Sequence, residues 1–364
     1  MASGPAQALP LDIGVEEKRA QARLLAWYDR QAADLPWRVS PLAKAQGILP
    51  DPYIVWISEI MLQQTTRAAV IPRLAHFLAR FPDVRALADA PVEAVLHEWA
   101  GMGYYARARA LHEAAQILAS SGMPREVPAL QALPGIGPYT ARAIAAIAFD
   151  APQAPVDANI ARVLARLHAM RETGAALRKR LQASADRLLV QKRPGDWAQA
   201  LMDLGASLCR PIGPACGQCP LAEMCQGKAL GPEKFPASAR IGPKPLRRGI
   251  CFHLRNDKGE VWLERRPSHG LLGGMLGLPG SAWAEEEIGD ALRFAPAPPP
   301  WRAIGSIRHA FTHFHLELAV MAKQDQCAPL GPGEWIAIAD WQRAGLPSVF
   351  VKAMRLASAG DFAA

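Results

Sequence analysis

Apolar positions recur at helical spacing through roughly the first 230 residues and at strand spacing after them. Over 15–33 the pattern places Leu24, Leu25 and Tyr28 on one face of an amphipathic helix that stops at LPWR. The same spacing, punctuated by Pro, Gly and short polar stretches, predicts helices over 53–64, 67–80, 92–99, 106–120, 138–149, 158–169, 176–191 and 196–208. No stretch before residue 229 alternates long enough to make a sheet. Residues 229–247 are rich in Pro, Gly and charge, have no face to bury, and are expected to form a linker. Beyond it, GICFHLRN (249–256) and EVWLERR (260–266) alternate around Asp257-Lys258-Gly259, which predicts a hairpin. Strands are expected at 314–322 and 334–339, a loop over APAPPP (295–300) and a closing helix over 347–358. The chain therefore reads as an all-α domain over 15–228 followed by an α/β domain over 248–358.

Composition narrows the function classes. At 364 residues two cores are expected, and no apolar run approaches the ~20 residues of a membrane-spanning helix. The start, MASGPAQALPLDIG, lacks a secretory pattern, so a cytoplasmic, reducing setting is expected, associated with the nucleoid in a bacterium, with a monomeric chain and no membrane partner. Net charge is +8 with a pI near 9.4, which favours a polyanionic partner. The charge is spread over both domains without a basic tail, so charge alone does not identify DNA.

Four of the six cysteines, Cys209, Cys216, Cys219 and Cys225, fall in one short stretch as C-x6-C-x2-C-x5-C. Thiolates so close together repel unless a metal neutralises them, and disulfides do not suit a reducing compartment. One tight pair flanked by longer spacers favours an iron–sulfur cluster, with structural zinc, which tends to use two tight pairs, as the alternative. Cys251 and Cys327 stand alone and read as buried small residues. Upstream, Leu-Pro-Gly-Ile-Gly (133–137) lies between two helical segments. Gly135 and Gly137 allow a tight turn, and the free amides at the next helix start can bind a phosphate, although a plain helix–helix turn has the same signature. His76, His97, His112 and His168 have no ligand spacing in common.

The LPGIG turn, an aspartate about twenty residues later in PVDANIAR (155–162) and the four-cysteine motif ending a helical domain together resemble the endonuclease III superfamily. Within it, SEIMLQQT (58–65), GMGYYARAR (101–109) and MDLGASLC (202–209) resemble the MutY family of adenine DNA glycosylases. The C-terminal stretch, including RHAFTHFHLEL (308–318), resembles that family's Nudix-like domain. The resemblance implies a helix-hairpin-helix glycosylase domain carrying a [4Fe–4S] cluster on the 209–225 loop, then a Nudix-like lesion-recognition domain. It also implies double-stranded DNA containing 8-oxoguanine:adenine or guanine:adenine mispairs as substrate, and hydrolysis of the adenine N-glycosidic bond in base excision repair.

Such a reaction needs an acid that makes adenine a neutral leaving group and a negative charge facing the oxocarbenium-like sugar. Glu59 is the only ionised side chain of a largely apolar helix, where desolvation would keep it protonated, so it is expected to be the general acid, acting at adenine N7 by the resemblance. Asp157 reads locally as an N-cap; the resemblance makes it the cation stabiliser, through a covalent sugar intermediate, with Asn159 and Tyr139 orienting it and the sugar. The resemblance also assigns Gln64, Met102 and Tyr104 to the duplex around 8-oxoguanine, and Phe311, Thr312 and His313 to reading that base. Met102 stands where the family has leucine, Thr312 where it mostly has serine, and the 39–53 loop is longer than usual.

Other readings make distinct demands. An endonuclease III-like glycosylase/lyase for oxidised pyrimidines needs a lysine nucleophile where this chain has Tyr139. Nucleotide pyrophosphohydrolysis by the second domain needs a glutamate-rich magnesium helix that AEEEIGD (284–290) does not match. A non-catalytic damage binder would not need Glu59 and Asp157.

Overall fold

The computed structural model describes residues 14–63, 65–99, 101–237, 242–267, 270–286, 288–337 and 345–360. The helices in chain order are α1 (Val15–Gln31), α2 (Pro41–Ala45), α3 (Pro52–Leu62), α4 (Arg67–Arg80), α5 (Val84–Asp89), α6 (Val92–Glu98), α7 (Tyr105–Ser121), α8 (Val127–Gln131), α9 (Pro138–Phe149), α10 (Ala158–Leu167), α11 (Gly174–Leu188), α12 (Pro194–Ser207), α13 (Gln226–Leu230) and α14 (Ser348–Gly360). The strands are β1 (Leu246–Arg255), β2 (Glu260–Arg265), β3 (Leu276–Gly277), β4 (Arg302–Ala310), β5 (His315–Gln324) and β6 (Glu334–Ala337). The chain forms two bodies, Met1–Ala88 with Glu113–Arg240, and Asp89–His112 with Ile241–Ala364. None of the helices is long and apolar enough to cross a membrane, among the described residues.

In the first body, α1 and α4 each bury an apolar stripe at helical spacing. In α1, Ala20, Leu24 and Tyr28 are buried four residues apart, one turn above another. Helix α3 differs, because its residues from Val55 to Met61 are buried on every side, as expected of an inner helix. It begins with Pro52 in the first turn and the Asp51 side chain accepting from the Tyr53 amide at 2.8 Å. Helix α9 packs against both α3 and α12, and α10 packs on α12. The α10–α12 crossing is close because residue 205 is glycine: a Cβ there would lie 2.6 Å from Asn159 Cβ.

The turn between α8 and α9 carries Gly135 at φ +75°, the left-handed conformation that the LPGIG motif predicts, and Gly137 as the N-cap of α9. Leu133 and Ile136 anchor the turn in the core.

The second body is built on a mixed sheet with strand order β3-β2-β1-β5-β4, with β6 also paired to β2. Strands β1 and β5 run parallel in register from Leu246↔His315 to Arg255↔Gln324. The expected hairpin joins β1 to β2; Asn256 Oδ1 accepts from the amides of Lys258 and Glu260, and Gly259 sits at φ +79°. Val349, Phe350, Ala353 and Met354 of α14 close the core over Cys251, Leu318 and Val320. Cys251 is buried as expected, whereas Cys327 is only half-buried, beside the small Leu254–Trp262 cluster.

Strand β4 was not anticipated. Its register slips between Ala303 and Gly305, so the bulge places Ile304 and Ile307 three apart and erases the two-residue alternation. Of the 229–247 stretch, α13 takes the first two residues and β1 the last two, and 238–241 lie outside the described residues. The strand expected over 334–339 is seen through Ala337, its end lying outside them.

Candidate active site and cysteine pocket

Helices α3, α9, α10 and α12 of the first body surround a cavity of about 640 Å³ lined by Glu59, Tyr139, Asp157 and Asn159, together with Trp37, Arg38, Arg67 and Gln199. Glu59 is 6% exposed, and burial pushes its carboxyl up to about 7. The Tyr139 hydroxyl donates to Glu59 Oε2 at 3.0 Å and pulls the value down, whereas the Asp157 charge raises it further. Burial and the neighbouring carboxylates push the Tyr139 phenol well above its ordinary range, so it remains a donor.

Asp157 is the N-cap of α10, its Oδ1 accepting from the Ile160 amide at 2.7 Å. Its second oxygen accepts from Asn159 Nδ2 at 2.9 Å. The cap geometry and a carboxylate lining the cavity therefore coexist in one residue. Asn159 Oδ1 in turn accepts from Arg162 Nη2 at 2.8 Å, while Arg162 Nε donates to the Cys209 carbonyl at 2.8 Å. A continuous hydrogen-bonded chain thus runs from the first cysteine to Asp157.

Sequence reasoning missed Arg38 and Arg67 on the cavity wall and the buried carboxylate that pairs with them. Asp203, 3% exposed, accepts from Arg38 Nη1 at 2.7 Å, Arg67 Nη2 at 2.9 Å and the Ala33 amide at 3.0 Å. These groups lie far apart in the chain and have no mutual spacing to reveal them.

Cys209, Cys216, Cys219 and Cys225 line one small cavity with Arg166, Leu208, Pro214 and Ala222. Burial pushes the Cys219 thiol up to about 11, and the other three cysteines add to the rise. Among the described residues no three His, Cys, Asp or Glu side chains converge to hold a single metal ion.

The residues expected to meet DNA divide. Gly135 and Gly137 belong to the first body. Gln64 lies outside the described residues. In the second body Met102 is 8% exposed, whereas Tyr104 is 46% exposed at φ +50°, with Arg107 over its ring. The Tyr104 hydroxyl lies 2.7 Å from Thr312 Oγ1, so two residues expected separately at the lesion meet within this body. Thr312 and His313 are exposed, while Phe311 stacks on Phe314 with centroids 4.7 Å apart and packs against the sheet core.

Residues 57–187 match the family model of the HhH-GPD superfamily of base excision DNA repair proteins, and 250–356 match the NUDIX domain model. The human adenine DNA glycosylase is 32% identical over 399 residues, covering 92% of this chain and 73% of the relative. The adenine DNA glycosylase of Mycolicibacterium smegmatis is 40% identical over 218 residues, covering 59% of this chain and 70% of the relative. A thermostable thymine-DNA glycosylase structure superposes with a TM-score of 0.51 at 26% identity, covering 60% of this chain and all 100% of that one.

Proposed function

This chain belongs to the adenine DNA glycosylases, DNA-binding base-excision-repair enzymes that hydrolyse N-glycosyl bonds, and we propose that it excises adenine opposite 8-oxoguanine or guanine with Glu59 as acid and Asp157 as cation stabiliser. The observation that carries this assignment is the pairing of two carboxylates in one cavity. Glu59 is buried and poised to hold a proton near neutral pH, while Asp157 has both oxygens engaged by donors, from Asn159 and the Ile160 amide.

The adenosine must leave the stack to reach the cavity. Glu59 gives its proton to adenine N7, the C1′–N9 bond breaks with its electron pair going to the base, and Asp157 faces the resulting cation. Asp157 bonds to C1′, and water then attacks C1′ as that bond breaks with its electron pair returning to the Asp157 carboxylate, the proton released by water going back to Glu59. Tyr139 holds Glu59, and Asn159 holds Asp157. With Tyr139 where a lyase needs an amine, the product is an abasic site left intact. Gly135 and Gly137 present amides to a phosphate, the exposed Tyr104 enters the duplex beside the lesion, and the exposed Thr312 and His313 read 8-oxoguanine.

The four cysteines fit a [4Fe–4S] cluster. All the donors are thiols and they line one cavity. Cys209, Cys216, Cys219 and Cys225 would each hold the cluster through a thiolate. When bound, the cluster serves as a covalent cross-link of the 209–225 loop. The test of the whole reading is single-turnover excision from an 8-oxoguanine:adenine duplex. The wild type should release adenine without cutting the strand until alkali is added, and a protein that binds this duplex without releasing adenine would overturn the assignment.

A further inference from the structure

Among the described residues of the first body, buried side-chain cations such as Arg38 and Lys44 have carboxylate partners. Arg38 pairs with Asp203 and Lys44 with Asp196, whereas Arg166, 2% exposed on α10, forms no ion pair among the described residues. Its guanidinium is spent on the cysteine loop instead. Nη1 donates to the Arg210 carbonyl at 2.6 Å and lies 3.5 Å from Cys209 Sγ, Nη2 donates to the Pro211 carbonyl at 2.9 Å, and Nε to the Phe235 carbonyl at 3.1 Å. Its backbone meets the other end of the loop: the Arg166 carbonyl accepts from Cys225 Sγ at 3.4 Å, and Gly227 packs so closely that a Cβ would lie 2.5 Å from that oxygen.

A buried guanidinium without an anion is strongly unfavourable, so a missing negative charge is implied, and among the described residues that line the cavity with it the acidic groups are thiols. We propose that Arg166 is the internal counter-charge of the cysteine-held centre, setting its reduction potential and its resistance to loss. This rests on the cluster reading above. Four thiolates outweigh the positive charge of an iron–sulfur core, leaving the complex anionic, and an N–H donor at sulfur together with a buried positive charge stabilises the more reduced form. Lys228 also lines the cavity but is exposed, so water and salt screen it. Arg166 is therefore a positioning and tuning residue, remote from the sugar chemistry.

The experiment uses full-length protein purified without oxygen as wild type, Arg166→Gln, Arg166→Lys and Lys228→Gln. Iron content, visible absorbance, potential by film voltammetry and the rate of bleaching by a chelator are measured in the absence of DNA. Arg166→Gln should move the potential to more negative values and bleach about tenfold faster. Arg166→Lys should recover most of the potential because the charge remains, and Lys228→Gln should change neither. An Arg166→Gln protein with wild-type potential and bleaching within twofold of wild type would overturn the proposal, as would failure of both Arg166 variants to load iron with helix content intact, which assigns the residue to packing alone. Wild-type protein without iron overturns the cluster reading itself, and its own metal content tells the two failures apart.

Discussion

The two bodies use different physical means for the tasks assigned to them. In the helical body the proposed catalytic groups stand on helices, are buried or capped, and have their hydrogen bonds made internally: Glu59 with Tyr139, and Asp157 with Asn159 and the Ile160 amide. In the sheet body the proposed reading group, Thr312, is exposed on the β4–β5 loop, and its one described partner is the hydroxyl of the equally exposed Tyr104. Rigid, desolvated carboxylates can shift proton affinity, and exposed hydroxyls can exchange one partner for another. The contrast teaches that chemistry and discrimination should be separable by mutation.

The largest effect should come from the carboxylates. Glu59→Gln or Asp157→Asn should lower single-turnover excision about a thousandfold or more, with duplex affinity changed little, because each removes a group needed mainly in the transition state. Retention of excision within tenfold by either variant would remove that residue from the mechanism.

The same substitution should strengthen the fold. Burial raises the Glu59 carboxyl from the usual 4.5 to about 7, so the folded chain holds a proton that the unfolded chain has released between those values. Glu59 therefore favours folding least above pH 7. Glu59→Gln should gain at most about 3 kcal/mol in denaturant unfolding at pH 8 and nothing at pH 4. Equal stability of the two proteins at pH 8 would contradict the buried-acid environment.

On the reading side, Thr312→Ala combined with His313→Ala should shrink the preference for 8-oxoguanine:adenine over guanine:adenine by ~1–3 kcal/mol in single-turnover rates while excision survives. Tyr104→Phe removes the hydroxyl that Thr312 holds, and should change the thermal midpoint of the free protein by only about a degree or two. If the double variant leaves the preference intact, discrimination belongs elsewhere.

What the sequence disclosed follows from which interactions are local. The 3.6-residue stripes of α1 and α4, the LPGIG turn with its left-handed Gly135 and the Asn256–Gly259 hairpin all carry their signal within a few residues. Strand β4 was hidden by its bulge, and α2, with none of its five residues buried, has no stripe to betray it. At the site, Glu59 was legible because a lone charge in an apolar helix is improbable unless useful. Asp203 with Arg38 and Arg67 was not, since those partners lie more than 130 positions away. The role of Met102 was inferred from a motif, and motifs do not report burial; its side chain is buried in the core.

The central claim is that a buried, protonated Glu59 drives excision, and the pH dependence of wild-type single-turnover rates at saturating enzyme tests it most directly. With the carboxyl pushed up to about 7, the rate should fall as pH rises through that value, in proportion to the lost proton, and Tyr139→Phe, which removes the hydrogen bond that holds the value down, should move the fall to higher pH. A wild-type rate that stays level from pH 6 to 9, or rises through that range, would contradict the account.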